Sequence, residues 1–359
     1  MKTLAVDNSK VCEEEPMMVP SFPPGQMQVP WRMSGFKKRV LILGTAQLAI
    51  DLCQVIRSQN RWLINIVGFL DERYERVGEK VVNSDIIGTY DQLAQMVERH
   101  HVDTVVVCLE DRRSLLPVQP LLDCKALGVN ILDGHHMFEE VSGRLSIDSL
   151  RPSALIFSTG FRRRLISLVS KRFFDMVVSA VGLVVSVPLF LLIAALIRVD
   201  SPGPVFYRQV RVGLRGRPYM IWKFRSMRQD AEKAGPRWAQ ANDPRISRVG
   251  WWLRKTRIDE FPQLVNVLRG EMSLVGPRPE RPVFVQDLRK TIPYYDIRHT
   301  VRPGVTGWAQ VKFRYGASEE DSHTKLQYDL YYVKNLSLAL DLKILAHTIR
   351  VMMLGEGAY

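Results

Sequence analysis

The chain has 359 residues, 46% of them hydrophobic, a length and composition that suit two packed domains. Its formal net charge of +13 is unevenly placed: residues 161–359 hold 33 Lys+Arg against 17 Asp+Glu, and residues 1–160 hold 17 against 20. Cys12, Cys53, Cys108 and Cys124 fall at no metal-ligand spacing and the seven histidines form no HExxH array, which excludes the common zinc patterns and suits reduced cytosolic thiols.

Residues 1–36 read as a disordered tail, with Pro16, Pro20, Pro23, Pro24 and Pro30, an acidic Glu13-Glu14-Glu15 run and no periodicity. Met1 to Pro16 lacks the apolar stretch of a signal peptide.

Residues 37–150 read as an α/β domain. Strands are expected at Arg39–Gly44, Ile64–Leu70, Thr104–Leu109 and Val129–Leu132, and helices at Gln47–Ser58, Tyr90–His100 and Val118–Leu127. Strands alternating with helices imply a Rossmann-like, doubly wound parallel sheet. The loop Gly44-Thr45-Ala46-Gln47-Leu48-Ala49 departs from the dinucleotide fingerprint, because Ala46 and Ala49 stand at its second and third glycine positions. Asp71, after the second strand, is where a ribose-binding acid would sit. A regulatory or assembly domain fits better than a cofactor site. His100-His101 and His135-His136 are expected on the surface or in loops.

A basic linker, residues 151–170, carries Arg162, Arg163 and Arg164. Met176 to Ile197 then runs 22 residues without a charge. As a straight helix it would be about 33 Å long, close to the hydrocarbon thickness of a bilayer. Pro188 near its middle, two residues after Ser186, breaks the hydrogen-bond ladder. Both flanks are basic, with Lys171 and Arg172 before and Arg198, Arg208 and Arg211 after, so the positive-inside rule puts both on the cytoplasmic side. A re-entrant membrane helix satisfies both features; a spanning helix and a buried core helix are the alternatives.

The rest is dense in Arg, Pro and Gly. Asp259-Glu260 pairs two carboxylates downstream of Arg254, Lys255 and Arg257, and Pro262 suits the first turn of a following helix. A carboxylate there can attack phosphorus, and its neighbour can hold Mg²⁺ against a diphosphate. Arg278, framed by Pro277 and Pro279, suits phosphate oxygens. The competing reading is a capping acid in a surface salt-bridge cluster.

From Lys171 to about Leu345 the chain resembles the bacterial sugar transferases, the monotopic polyprenyl-phosphate hexose-1-phosphate transferases. KRFFD, DSPGPVFYRQVRVG, WKFRSM, DEFPQLVNVL, MSLVGPRPE and RPGVTGWAQV occur in the family's order. The resemblance implies a mainly helical, membrane-associated catalytic domain over 171–359, with a re-entrant helix at 176–197 broken at Ser186 and Pro188. It implies that Asp259 is the nucleophile and that Glu260, with Asp259, holds Mg²⁺. Lys223, Arg225, Arg254, Arg278 and Arg302 are the candidate phosphate or nucleotide contacts, with Gln263 and Asn266 behind them. Phe261 stands where Leu is commoner.

The implied reaction moves a hexose phosphate from a UDP-sugar to polyprenyl phosphate and releases UMP. It would run on the cytoplasmic face of the bacterial inner membrane, against membrane lipid, as an initiating step of polysaccharide synthesis. A homodimer is left open. Larger family members place four transmembrane helices ahead of the Rossmann-like region; anchoring here is expected to rest on the hairpin and amphipathic surfaces, including Leu336 to Met353. Tyr328, Asp329 and Tyr332 precede that stretch. Two other function classes compete: a NAD-dependent nucleotide-sugar oxidoreductase built on residues 37–150, and a non-enzymatic binder of anionic lipid. Nucleic acid is not an expected partner, since no stacking-aromatic or helix-turn-helix signature accompanies the charge.

Overall fold

The computed structural model describes residues 37–58, 63–110, 115–148, 160–161, 165–228, 243–313 and 318–354. The expected tail over 1–36 and the arginines at 162–164 lie outside these residues.

Lys38–Tyr359 forms one compact unit. It begins with a six-stranded sheet in the order β3-β4-β2-β1-β5-β6. The strands are β1 (Lys38–Leu43), β2 (Ile64–Asp71), β3 (Lys80–Val81), β4 (Ser84–Thr89), β5 (Thr104–Val107) and β6 (Asn130–Asp133). Every pairing is parallel except β3 with β4. Alternation along β1 divides the interior in two. Val40 and Ile42 pack with α1 (Gln47–Ser58) and α4 (Gly134–Ser142) on one face. Leu41 and Leu43 pack with α2 (Leu93–Arg99) and α3 (Val118–Ala126) on the other. A strand buried on both faces has to be apolar at every position, as Val40–Leu43 is. Cys53, Cys108 and Cys124 are buried in these layers.

Two features were not anticipated. β3 and β4 form a hairpin whose two-residue turn, Val82-Asn83, has positive φ at both positions, the geometry that matches the twist of antiparallel strands. The second is the helix α4 itself: His135-His136 lies in its first turn, with His136 on the surface as expected, and the Asp133 carboxylate caps both backbone N–H groups.

The apolar run extends into a 36-residue helix, α5 (Leu165–Asp200), with Pro188 inside it. Its buried positions, Lys171, Asp175, Ser179, Ser186, Ile193 and Ile197, make one stripe along its length. Most of the rest is exposed and apolar, including Phe173, Val177, Val181, Val184, Val185, Leu191, Leu192 and Leu196.

A hairpin follows, β7 (Phe206–Val212) and β8 (Pro218–Phe224), then α6 (Arg248–Lys255) and α7 (Gln263–Arg269). Next come β9 (Ser273–Val275), α8 (Pro282–Thr291), β10 (Gly304–Thr306), α9 (Trp308–Lys312), α10 (Glu319–Lys334) and α11 (Leu338–Leu354). β9 and β10 pair in parallel. The backbone approach beside them is so close that a Cβ on Gly276 would lie 2.4 Å from the Arg302 carbonyl, so only glycine fits where the chain turns toward Arg278. The two halves touch directly: the Trp308 indole N–H donates to the Gly143 carbonyl at 2.7 Å, and Glu139 accepts from Lys334 and Asn335.

Candidate active site

Asp259 and Glu260 form part of a single 3-10 turn, Ile258–Glu260, and both are buried. The turn is entered through Arg257 in a left-handed conformation, φ 56°. The sequence pointed to a helix N-terminus here. The structure sets Asp259 in the turn just before Pro262 and the seven-residue α7, in keeping with that reading, and the side chains of Lys223, Arg254 and Arg278 add a positive field there.

Those side chains converge from two directions. β8 brings Lys223, whose Nζ lies 2.8 Å from Glu260 Oε1. The segment after β9 brings Arg278, whose Nη2 reaches the same oxygen at 2.7 Å. Burial raises the Glu260 pKa, but Arg278 and Lys223 outweigh it and hold the carboxyl well below the usual range. Asp259 goes the other way. Burial lifts it to about 6, opposed by Lys223 and reinforced by the neighbouring Glu260 charge. Two adjacent carboxylates are thus pushed apart, one firmly ionised and one poised near neutrality, a pattern associated with reactive sites.

The remaining expected residues divide. Arg254, on α6, donates from Nε to the Ser226 hydroxyl at 3.1 Å and contributes to the field at Asp259. Gln263 and Asn266 are buried on α7, and Asn266 is hydrogen-bonded to β8. Arg225 differs from its expected phosphate contact. It is buried, and its guanidinium is spent on the carbonyls of Ile197, Ser201 and Pro202, closing the end of α5. A carbonyl-rich helix end needs cationic donors, and nothing in the residue's sequence neighbourhood marks this arginine for that task. Arg302 Nε donates to the Gly270 carbonyl at 2.9 Å, at the C-terminal end of α7. Arg172 caps the same helix through the carbonyls of Val267 and Leu268.

Several supporting residues were not foreseen as such. Asp175 accepts from the Ser273 hydroxyl and the Leu274 N–H. The Val275 carbonyl accepts from Lys171, Tyr332 and Ser273. Arg298 donates to the Arg278 carbonyl and pairs with buried Asp329 at 2.8 Å. These bonds fix β9 and the Arg278 backbone from behind. Repeated Lys, Arg and Asp within apolar stretches were the available signal, since buried charges must be paired.

Among the described residues no group of three or more His, Cys, Asp or Glu is arranged to hold a metal. Asp259 and Glu260, the pair expected from the sequence to hold Mg²⁺, stand side by side and buried. Such a pair suits that ion, which binds through one or two carboxylates and completes its shell with substrate phosphates and water.

In the N-terminal half, Asp71 Oδ2 accepts from the Thr45 hydroxyl at 2.5 Å and Arg76 Nη1 at 2.6 Å. The acid at the ribose position is engaged within the protein itself.

Both halves of the chain resemble known proteins. The bacterial sugar transferase family matches residues 166–355, and a family described as a CoA-binding domain matches residues 27–131. A UDP-N-acetylgalactosamine-undecaprenyl-phosphate N-acetylgalactosaminephosphotransferase of Aeromonas hydrophila is 42% identical over 66% of this chain and 56% of its own length. An undecaprenyl-phosphate glucose phosphotransferase of Komagataeibacter xylinus is 32% identical over 90% of this chain and 60% of its own. A UDP-glucose:undecaprenyl-phosphate glucose-1-phosphate transferase of Escherichia coli is 33% identical over 91% of this chain and 70% of its own. The chain thus spans less than two thirds of the length of the first two.

Proposed function

The chain belongs to the bacterial sugar transferase family, and from that premise we propose that it transfers a hexose-1-phosphate from a UDP-sugar to polyprenyl phosphate through Asp259. The observation that carries the reading is the buried Asp259 carboxyl beside Glu260, with Lys223 and Arg278 both bound to Glu260.

In the first step an Asp259 carboxylate oxygen attacks the sugar-bearing phosphorus. The bond to the bridging oxygen breaks, UMP leaves with that oxygen, and an aspartyl phosphosugar remains. In the second step a phosphate oxygen of the polyprenyl acceptor attacks the same phosphorus. The acyl phosphate breaks, Asp259 regains its carboxylate, and polyprenyl-diphosphate-sugar departs. Lys223 and Arg278 lie beside the reacting carboxyl, where fixed cations stabilise the charge spreading over the phosphoryl oxygens. Mg²⁺, held by Asp259 and Glu260, would supply neutralisation of the diphosphate.

The lipid acceptor requires a site at the bilayer surface, and α5 supports one. Its exposed apolar face is the membrane face in this reading, and both its ends are fastened to the same body. Lys171 and Arg172 bind β9, α11 and α7 near one end. Arg225 takes the Ile197 carbonyl, and Asp200 accepts from the Val249 N–H, at the other. A body on one side of a bilayer cannot hold both ends of a straight spanning helix of about 54 Å. A re-entrant helix turning near Ser186 and Pro188 lets it do so. The exposed Trp251 and Trp252 of α6, beside Lys255, suit the headgroup level. The catalytic half then lies on the cytoplasmic face of the inner membrane.

The test is UMP release from a panel of UDP-sugars with polyprenyl phosphate, using the full chain in membranes. Sustained release that needs both substrates, with no more than one UMP per chain when polyprenyl phosphate is withheld, is the expected result; a chain that releases none overturns the reading.

A further inference from the structure

Asn266 occupies a position that the proposed chemistry leaves unexplained. It is fully buried on α7. Its Oδ1 accepts the Trp222 N–H at 3.1 Å, and its Nδ2 donates to the Met220 carbonyl at 2.8 Å and to Glu271 Oε2 at 2.7 Å. In a strand, alternate residues present their N–H and C=O to the same edge. β7 pairs with one edge of β8, and Met220 and Trp222 offer the other edge to Asn266. The side-chain amide therefore stands where a third strand would, satisfying one donor and one acceptor of an otherwise open edge.

The residue that follows Trp222 is Lys223, and the helix that carries Asn266 follows directly from the Asp259-Glu260 turn. One side chain thus clamps the strand bearing the cation to the helix leading from the carboxylates. We propose that Asn266 is a positioning residue for phosphoryl transfer: by closing the free edge of β8 it sets the Lys223 ammonium against Glu260 and beside Asp259. The proposal rests on the reading of Asp259 and Glu260 as the transfer site. It distinguishes Asn266 from Gln263, which lies on the same helix without such a clamp to β8 among the described bonds.

The experiment is a double-mutant cycle in the full chain, with Asn266→Asp, Lys223→Ala and the two combined. Asn266→Asp keeps the shape and an acceptor for the Trp222 N–H but has no donor for the Met220 carbonyl. UMP release and thermal unfolding are both read. Asn266→Asp should lower kcat by about 100-fold, the scale expected of an ångström-sized misplacement, with KM for the UDP-sugar nearly unchanged. In the Lys223→Ala background the same substitution should add little further loss of kcat, and the stability cycle should be non-additive as well. Additive losses in both cycles, or an unchanged kcat in Asn266→Asp, overturn the proposal. Should Asn266→Asp fail to fold, Asn266→Ser takes its place in the same cycle. A wild type silent toward every UDP-sugar overturns the site assignment instead, and the stability cycle then decides by itself whether Asn266 holds Lys223.

Discussion

Lys171 and Asp341 meet at 2.6 Å in the interior, joining the first half of the apolar helix α5 to the last helix, α11. Both side chains are almost wholly removed from solvent, and the Tyr332 hydroxyl binds the second Asp341 oxygen at 2.8 Å. Arg225 makes the matching connection at the other end through the Ile197 carbonyl.

The expected consequence is that both ends of α5 stay on one face of the membrane. Cysteines placed singly at the exposed positions Leu165 and Val199, in a Cys12→Ser background, should both be shielded from an impermeant maleimide in intact spheroplasts. Both should label after lysis. Labelling of one site before lysis would establish a spanning helix. Replacing Ser186 and Pro188 together with alanine should straighten the segment and abolish activity.

The ion pair of Arg278 with Glu260 makes a second expectation. Arg278→Ala should lower kcat by about 10²–10³-fold, the range for losing one donor aimed at developing charge. Arg278→Lys should recover only part, since an ammonium cannot reproduce the guanidinium fork. Steady-state UMP release on folded variants measures this. Activity within a few-fold of wild type for Arg278→Ala would place the reacting phosphate elsewhere.

The Asp259 carboxyl, raised to about 6, gives a pH dependence with two signs. The nucleophile must be ionised, so kcat/KM should fall as pH drops through about 6. Stability behaves oppositely. The unfolded chain ionises Asp259 at its ordinary pKa, while the folded chain keeps the proton, so this group's stabilising contribution is present below pH 3.8 and lost as pH rises to about 6. Asp259→Asn escapes that loss. It should be inactive yet more stable at pH 7, by on the order of 1–3 kcal/mol, with the gain vanishing toward pH 4. Denaturant unfolding of both proteins across pH checks this, and a less stable variant at pH 7 would contradict it.

The α/β layers were legible because buried parallel strands must be continuously apolar. Lys38–Leu43 and Thr104–Val107 stand within a few residues of where Arg39–Gly44 and Thr104–Leu109 were expected. The β3–β4 hairpin escaped notice because its turn is Val82-Asn83, without the glycine that usually marks positive φ. At the site, adjacency and the proline-framed Arg278 made the carboxylates and one cation readable. The contact of Lys223 with Glu260 links residues 37 positions apart, and no spacing in the sequence encodes it. Arg225 could not be told from a phosphate ligand, because a helix-end donor and an anion donor use the same residue type.

Metal dependence is a fourth expectation. Chelation should stop turnover and Mg²⁺ should restore it, because the donor's diphosphate needs neutralisation as UMP leaves and the adjacent Asp259 and Glu260 carboxylates suit the ion. Glu260→Gln should raise the Mg²⁺ concentration needed for half-maximal rate. Full turnover in chelator would show that Lys223 and Arg278 suffice.

The covalent intermediate tests the central claim most directly. The chain is incubated with a UDP-sugar and no lipid acceptor, and its intact mass is measured. The account predicts a mass increase of one hexose phosphate, mapping to the peptide that contains Asp259, absent in Asp259→Asn and discharged by polyprenyl phosphate. An undiminished adduct in Asp259→Asn, or turnover with no adduct in the wild type, would contradict it.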